Sequence, residues 1–291
     1  MSAIPGGLGA THKRSLWAGR IFQAFLVISL AIGFVTLGAL LAQVVAKGWR
    51  WVDPVLLFEP PSADPQIAGA EPAILATIYI GLLVLAMSVP LGVGTAIYLE
   101  EYANRDRWYN RLLEVNIQNL AAVPSIVYGI LGLAFLVRGL GLGRVLLAGA
   151  MILTLLVLPT VIIAAREAIR AVPDTIRQGA YALGATKWQV VWRQVLPAAT
   201  PGIATGSILG LSRALGETAP LLLVGALTYV AFNPTLLGDF TALPVQIYQW
   251  VARPQEEFKT LAASGIIVLL VILLTLNAFA IWIRNRYERR W

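Results

Sequence analysis

No cysteine occurs among the 291 residues, which excludes disulfides, thiolate catalysis and cysteine-based metal sites. Histidine occurs once, as His12 in a polar N-terminal tail, so there is no histidine cluster for metal binding or proton transfer. The sequence Gly-x-x-x-x-Gly-Lys-Ser/Thr is absent, and with it the loop that would cradle the phosphates of ATP. Charge is scarce: Asp, Glu, Lys and Arg make up 13% of the chain, about half the share in a soluble domain. Apolar residues take the space, at 58% of the total, and the mean hydropathy is +0.75. Such a chain belongs in lipid.

A hydrocarbon core about 30 Å thick requires roughly 20 apolar residues per helix. Six segments qualify: 21–46, 73–99, 119–137, 145–165, 202–227 and 261–283. The expected fold class is therefore all-α, a polytopic membrane protein with six transmembrane helices. The first run is longer than the apolar region of about 7–15 residues in a signal peptide, so it reads as an uncleaved span. The remaining charge is mostly basic, with 22 Lys and Arg against 15 Asp and Glu, a net +7 and a pI near 9.9. Because these residues flank apolar runs, they read as topology determinants rather than as a footprint for nucleic acid, which is not expected as a partner. With the N-terminus inside, fifteen basic residues fall on the cytoplasmic side, six fall outside, and Arg213 completes the 22. That asymmetry puts both termini in the cytoplasm.

The chain divides into residues 1–70 (tail, first helix and external arm), 71–283 (transmembrane domain with a cytoplasmic loop at about 166–201) and the cytoplasmic tail 284–291. The arm at 47–72, with several prolines and with Asp53, Glu59, Asp64 and Glu71, reads as an ordered, partner-facing element or as a plain linker. A second external stretch, 228–260, mixes Leu236, Leu237, Val245 and Ile247 with Tyr248 and Trp250. It either lies on the membrane surface or re-enters it, since Tyr and Trp favour that interface.

One apolar run carries charge near its middle. Between Gly202 and Gly225, Arg213 and Glu217 stand four residues apart, side by side if the run is one helix. A charged side chain at the bilayer centre costs roughly 2.5–3.5 kcal/mol, so such residues mark a pathway or a packed ion pair. Arg before Glu is the weaker order for an isolated helix pair, so helix stability alone does not account for them. An enzyme is disfavoured, because the spans hold no His, Asp or Cys to build a nucleophile and its base. Ser125 and Tyr128 follow Pro124, where a missing backbone donor opens a polar patch, and Thr218 follows Glu217. These hydroxyls either line a pathway or bond to neighbouring helices. Glycines 206, 210, 216 and 225 read as close-packing positions.

The inside loop at 166–201 has two short amphipathic patterns. Pro173 suits a helix start, Ile176, Ala180 and Leu183 share a face, and Gly184 suits a left-handed helix end. Trp188, Val191, Trp192 and Val195 form a second face, which Pro197 is expected to stop. Such helices either cap their own bundle or fill a groove on another protein.

These residues resemble a family. Permeases of binding-protein-dependent ABC importers carry Glu-Ala-Ala, three residues, Gly, nine residues, Ile, one residue, Leu-Pro in this loop. Here Gln178-Gly179-Ala180, Gly184, Gln194 and Leu196-Pro197 occupy those places, with the spacing kept and Gln178, Gly179 and Gln194 departing. Residues 90–94 (PLGVG), 96–102 (AIYLEEY), 123–129 (VPSIVYG), 182–188 (ALGATKW), 213–222 (RALGETAPLL) and 243–248 (LPVQIY) are similar to the phosphate permeases of that family, and to the PstA type rather than the PstC type.

The resemblance implies a type I ABC importer (MetI-like) permease fold in the inner membrane that imports inorganic phosphate. The implied partners are a second, PstC-type permease, a PstB-type ATPase homodimer holding ATP and Mg, and a PstS-type phosphate-binding protein. No cofactor is implied in this chain. ATPase coupling would fall to Gln178, Gly179, Ala180, Leu183, Gly184, Ala185, Leu196 and Pro197, and the pathway or its gate to Arg213, Glu217, Thr218, Ser125 and Tyr128. Permeases for other oxyanions, such as phosphonate, sulfate or molybdate, and a passive anion channel are the alternatives.

Overall fold

A computed structural model describes residues 8–104, 106–226 and 229–287. Arg105, Arg289, Arg290 and the end of the fifth expected span at Leu227 lie outside the described residues. All regular structure among the described residues is helical. Four of the six expected spans appear as long helices: α1 (Leu8–Gly48), α3 (Glu71–Ile97), α6 (Leu146–Arg170) and α12 (Glu256–Tyr287). The other two are broken.

The third expected span is a bent pair. Helix α4 (Trp108–Ala121) stops before Pro124, and α5 (Ser125–Gly132), prolonged by a π-turn at Leu133–Gly139, leaves at 104° to it. Pro124 explains the break, because it supplies no donor and pushes Val123 away from helical dihedrals. The fifth span is displaced and split. Helix α8 (Lys187–Val190) runs through a π-turn (Val191–Val195) into α9 (Leu196–Gly216), and α10 (Ala219–Val224) follows as a separate turn and a half. Pro197 therefore does not stop the helix; it sits in the first turn of α9, where its missing N–H is tolerated. Glu217 is extended (φ −80°, ψ 124°) and lies outside α9, which corrects the single-helix reading of 202–227.

Small residues bring α9 onto α6. A Cβ at Gly202 would stand 2.6 Å from the Ala168 methyl carbon, and Gly206 and Gly210 face Ala164 and Val161 in turn. Gly216 meets open space, and Gly225 ends α10 with φ +107° against Arg144, so neither is a helix-packing position. The core between α3, α5, α6 and α10 is built from Ile80, Val84, Ile152, Leu153, Val157 and Leu221, with Phe240 and Val245 inserted from the following segment. That segment re-enters the bundle. Leu146 and Leu147 donate their N–H groups to the carbonyls of Gly238 (3.1 Å) and Leu236 (3.0 Å), which caps the start of α6. Helix α11 (Leu243–Ala252) then buries Leu243, Val245 and Trp250 and leaves Tyr248 outward; Leu237, in the preceding turn, is outward as well.

The arm at 47–72 is ordered. Asp53 accepts from the Leu56 N–H at 2.9 Å and caps α2 (Pro54–Phe58), whose Leu56 packs with Trp250, Phe258 and Leu261. From Gly19 to its last turns, α1 presents apolar side chains to the outside, among them Phe25, Leu30, Phe34 and Leu37. It meets the bundle at Gly48, whose carbonyl accepts from Ser264 Oγ on α12 at 2.9 Å.

Candidate functional site

The two helix breaks meet. A Cβ on Gly129 of α5 would lie 2.8 Å from Pro220 Cα, so the absent side chain lets the start of α10 rest on α5. This contact sets Tyr128, next to Gly129, beside the α9–α10 break that holds Glu217 and Thr218, while Ser125 opens α5 one turn earlier. The depth follows from packing: Gly210 lies against Val157 and Val161, close to the midpoint of α6. Arg213 is three residues, about 4.5 Å, further along. It stands beside the middle of α6, at the last turn of a helix rather than within one.

Arg213 Nε lies 3.7 Å from Glu217 Oε1, an ion contact too long for a hydrogen bond, and the side chains are 45% and 21% exposed. The guanidinium thus keeps donors for a further acceptor. Tyr128 is buried, and its hydroxyl donates to the Leu120 carbonyl at 2.9 Å, tying the two halves of the bent helix together. Its role in the structure is to hold the break. Ser125 and Thr218 are half-buried, and Thr218 starts α10 without a side-chain cap.

At the other end of the bundle, α7 (Asp174–Ala182) and α8 form the loop structures expected at 166–201. Gly184 takes φ +80°, with Ala185 N–H donating to Ala180 O (3.1 Å) and Gly184 N–H to Tyr181 O (2.9 Å), the paired bonds of a Schellman helix end. Leu183 is 90% exposed, and Gln178, Gly179 and Gly184 are exposed beside it. Ala180, Leu183, Gly184 and Ala185 line one side of a shallow cleft of about 260 Å³, with Gln189, Arg193 and Gln194 on the other. Leu196 and Pro197 do not join this surface; they are half-buried where α9 starts. The second amphipathic face is also revised. Val190, Val191 and Val195 are its buried residues, while Trp188 and Trp192 stack edge-on at 5.3 Å and stay exposed.

A charge cluster beside α7 was not foreseen. At the π-turn Tyr98–Tyr102 that ends α3, Glu100 and Glu101 have side chains only 3% and 7% exposed. Glu100 accepts from Arg166 Nε (2.8 Å) and Arg170 Nη2 (2.8 Å), and Arg166 also donates to Glu114 on α4. Glu101 accepts from Arg177 Nε (3.1 Å) and Nη2 (2.9 Å). The available signal was the Glu-Glu doublet ending one span and arginines four residues apart ending another, which the topology count absorbed. Among the described residues, no group of His, Cys, Asp and Glu is arranged to hold a metal.

The comparisons decide the family. The profile of the binding-protein-dependent transport system inner membrane component matches residues 88–291. The chain belongs to this family. It is 32% identical over 277 residues to the phosphate transport system permease protein PstA 1 of Mycobacterium tuberculosis, covering 93% of this chain and 88% of that one. It is 33% identical over 275 residues to the phosphate transport system permease protein PstA of Yersinia pestis, covering 92% of each. In fold, it is similar to a bacterial alginate ABC transporter solved with its pentasaccharide-bound periplasmic protein, at TM-score 0.64 and 18% identity, covering 92% of this chain and 94% of that one. The architecture is that of an ABC importer permease, and the family is one of inner-membrane transport components.

Proposed function

We propose that this chain is a PstA-type permease subunit of an ATP-driven importer of inorganic phosphate. It forms the translocation pathway with a PstC-type permease and receives phosphate from an external PstS-type binding protein. It is driven through α7 and α8 by two PstB-type ATPase subunits, which carry ATP and Mg; this chain is itself non-catalytic. Both termini and α7 face the cytoplasm, and the arm at 47–72 faces outward.

The observation that carries the reading is Arg213, a guanidinium beside the middle of α6 at the meeting point of two broken helices, with donors left over from its contact with Glu217. Discontinuous helices that meet at the bilayer midplane are how membrane transporters present polar groups to a substrate. A guanidinium matches the oxygens of phosphate two at a time and stays charged at every relevant pH. Glu217 sets the orientation of Arg213 and can accept a hydrogen bond from a protonated phosphate oxygen, which fully ionised sulfate cannot donate. Leu183, bare at the tip of α7, suits a groove on a partner protein.

The test is phosphate uptake by vesicles reconstituted with the complete transporter. Losing a charge-assisted bond predicts that Arg213→Ala slows uptake about tenfold or more. Glu217→Gln should weaken discrimination between phosphate and sulfate. Near-normal uptake by Arg213→Ala, with ATP hydrolysis still coupled, would remove Arg213 from the pathway. Wild-type uptake of sulfate in preference to phosphate would refute the substrate.

A further inference from the structure

The charge cluster at the α7 end is more than a clamp on one helix. Arg177, on α7, uses three nitrogens in three directions. Nε and Nη2 grip Glu101 at the end of α3, Nη1 donates to the Val172 carbonyl (2.6 Å), and Nη2 also donates to the Ile169 carbonyl (2.9 Å). The guanidinium therefore fastens α7 to the ends of both α3 and α6. Its side chain is 16% exposed and that of Glu101 7%, so water competes little for these bonds.

The contacts continue along α6 and α4. Glu100, next to Glu101, holds Arg166 and Arg170 of α6, and Arg166 passes on to Glu114 of α4. Helix α4 ends at the break where the Leu120 carbonyl receives the Tyr128 hydroxyl, and Gly129, next to Tyr128, rests on Pro220 at the start of α10, the helix that follows Arg213 and Glu217. Between these points α4 is seated on α6 and α3 by Ile117, packed with Leu99 and Ile162. Few other polar contacts hold α7: its remaining ion pair, Arg177 to Asp174, is internal to the helix and exposed on the acid side. A displacement of α7 must therefore pull on Glu101.

We propose that Arg177 and Glu101 are positioning residues that convert movement of α7 into movement of the broken helix at the pathway, with Glu100, Arg166 and Glu114 as the link to α4. The proposal rests on the reading of this chain as an ATP-driven permease and adds the route by which drive reaches the site. Buried pairs with fixed geometry suit that role, since a rigid connection transmits displacement where a solvated one would absorb it.

The experiment uses the complete transporter in vesicles, with inorganic phosphate as the probe, measuring uptake and ATP hydrolysis together. Glu101→Gln keeps the shape and one acceptor, so it is the variant that keeps the fold; Arg177→Ala is the stronger cut. Coupling free energies between sites correspond to about 5–150-fold effects, so uptake per ATP should fall at least about fivefold in Arg177→Ala. The KM for phosphate and co-purification of the ATPase should stay as in the wild type. The exchange Glu101→Arg with Arg177→Glu should recover part of the loss. An unchanged ratio of uptake to hydrolysis in both single variants overturns the proposal. So does a parallel fall of both activities that merely tracks the amount of assembled protein. Failure of the underlying reading is seen separately, as wild-type vesicles that take up no phosphate on adding ATP.

Discussion

Replacing Gly184 tests how the α7 turn is made, because the structure isolates one physical cause. A Cβ at this position meets nothing within 4 Å, so a larger side chain finds open space. What opposes it is the backbone alone, at φ +80°. An L-residue in that region costs about 1–2 kcal/mol, with a β-branched residue at the upper end and asparagine largely exempt. At 1.4 kcal/mol per factor of ten, Gly184→Val shifts the equilibrium between the native turn and its alternatives by about 5- to 30-fold against the native turn. The alternative turn gives up the paired bonds from Gly184 to Tyr181 and from Ala185 to Ala180, and Leu183 moves with it. The affinity of the purified ATPase for the permease pair in nanodiscs should weaken by up to the same factor. Gly184→Ala should fall in between, and Gly184→Asn should bind nearly as the wild type. If valine binds and transports normally, the turn does not determine docking. If asparagine is as damaging as valine, backbone strain is the wrong cause.

Two further substitutions test what holds the opposite end of the bundle. The buried Thr77 hydroxyl donates to the Ala73 carbonyl (2.7 Å) and accepts from the Leu243 N–H (2.8 Å). Thr77→Val keeps the volume but leaves that N–H unpaired, so thermal unfolding in detergent should show a loss of about 1–3 kcal/mol, and no loss would mean α11 is held by packing alone. Gly48→Leu places a Cβ 2.6 Å from the Ala263 carbonyl carbon and should push α1 off α12, whereas Ser264→Ala removes only one hydrogen bond, worth about 1 kcal/mol. The same unfolding measurement should rank leucine well below alanine, and equal losses would show that the approach of the two helices is not limiting.

Long apolar runs made the spans legible, because a bilayer demands about 20 such residues wherever it is crossed. The breaks were less legible for the same reason: 119–137 and 202–227 stay apolar across their interruptions, so composition gives no sign of them. Pro124 and Pro220 were the visible marks, yet prolines also occur inside continuous helices here, as Pro90 in α3 and Pro159 in α6 do. The Arg213–Glu217 spacing suggested a helical pair, and the two groups do meet, although Glu217 has left the helix. Gly184 was readable because a left-handed helix end requires a particular residue type locally. The pairing of Glu100 with Arg166 and of Glu101 with Arg177 joins residues 66 and 76 positions apart, and only the packing of α3 on α6 brings them together.

The helix break also changes the argument about the cost of Arg213. Within an unbroken span the guanidinium would have only Glu217 to offset roughly 2.5–3.5 kcal/mol of insertion cost. At the last turn of α9 it faces the negative end of the helix dipole, a setting worth about 0.3–1 kcal/mol when exposed and up to about 2 when partly buried. The unfavourable Arg-before-Glu order no longer applies, since it holds for two residues on one helix and Glu217 is extended. Dipole and ion contact together still fall short of a hydrogen-bonded, fully paired guanidinium, because the Nε to Oε1 distance of 3.7 Å leaves the donors of the fork uncommitted. An arrangement built only for stability would close that distance, as Arg166 does with Glu100 at 2.8 Å. On the function proposed above, the contrast between the tightly paired Arg166 and the loosely held Arg213 is what separates a connecting element from a site kept open for an anion.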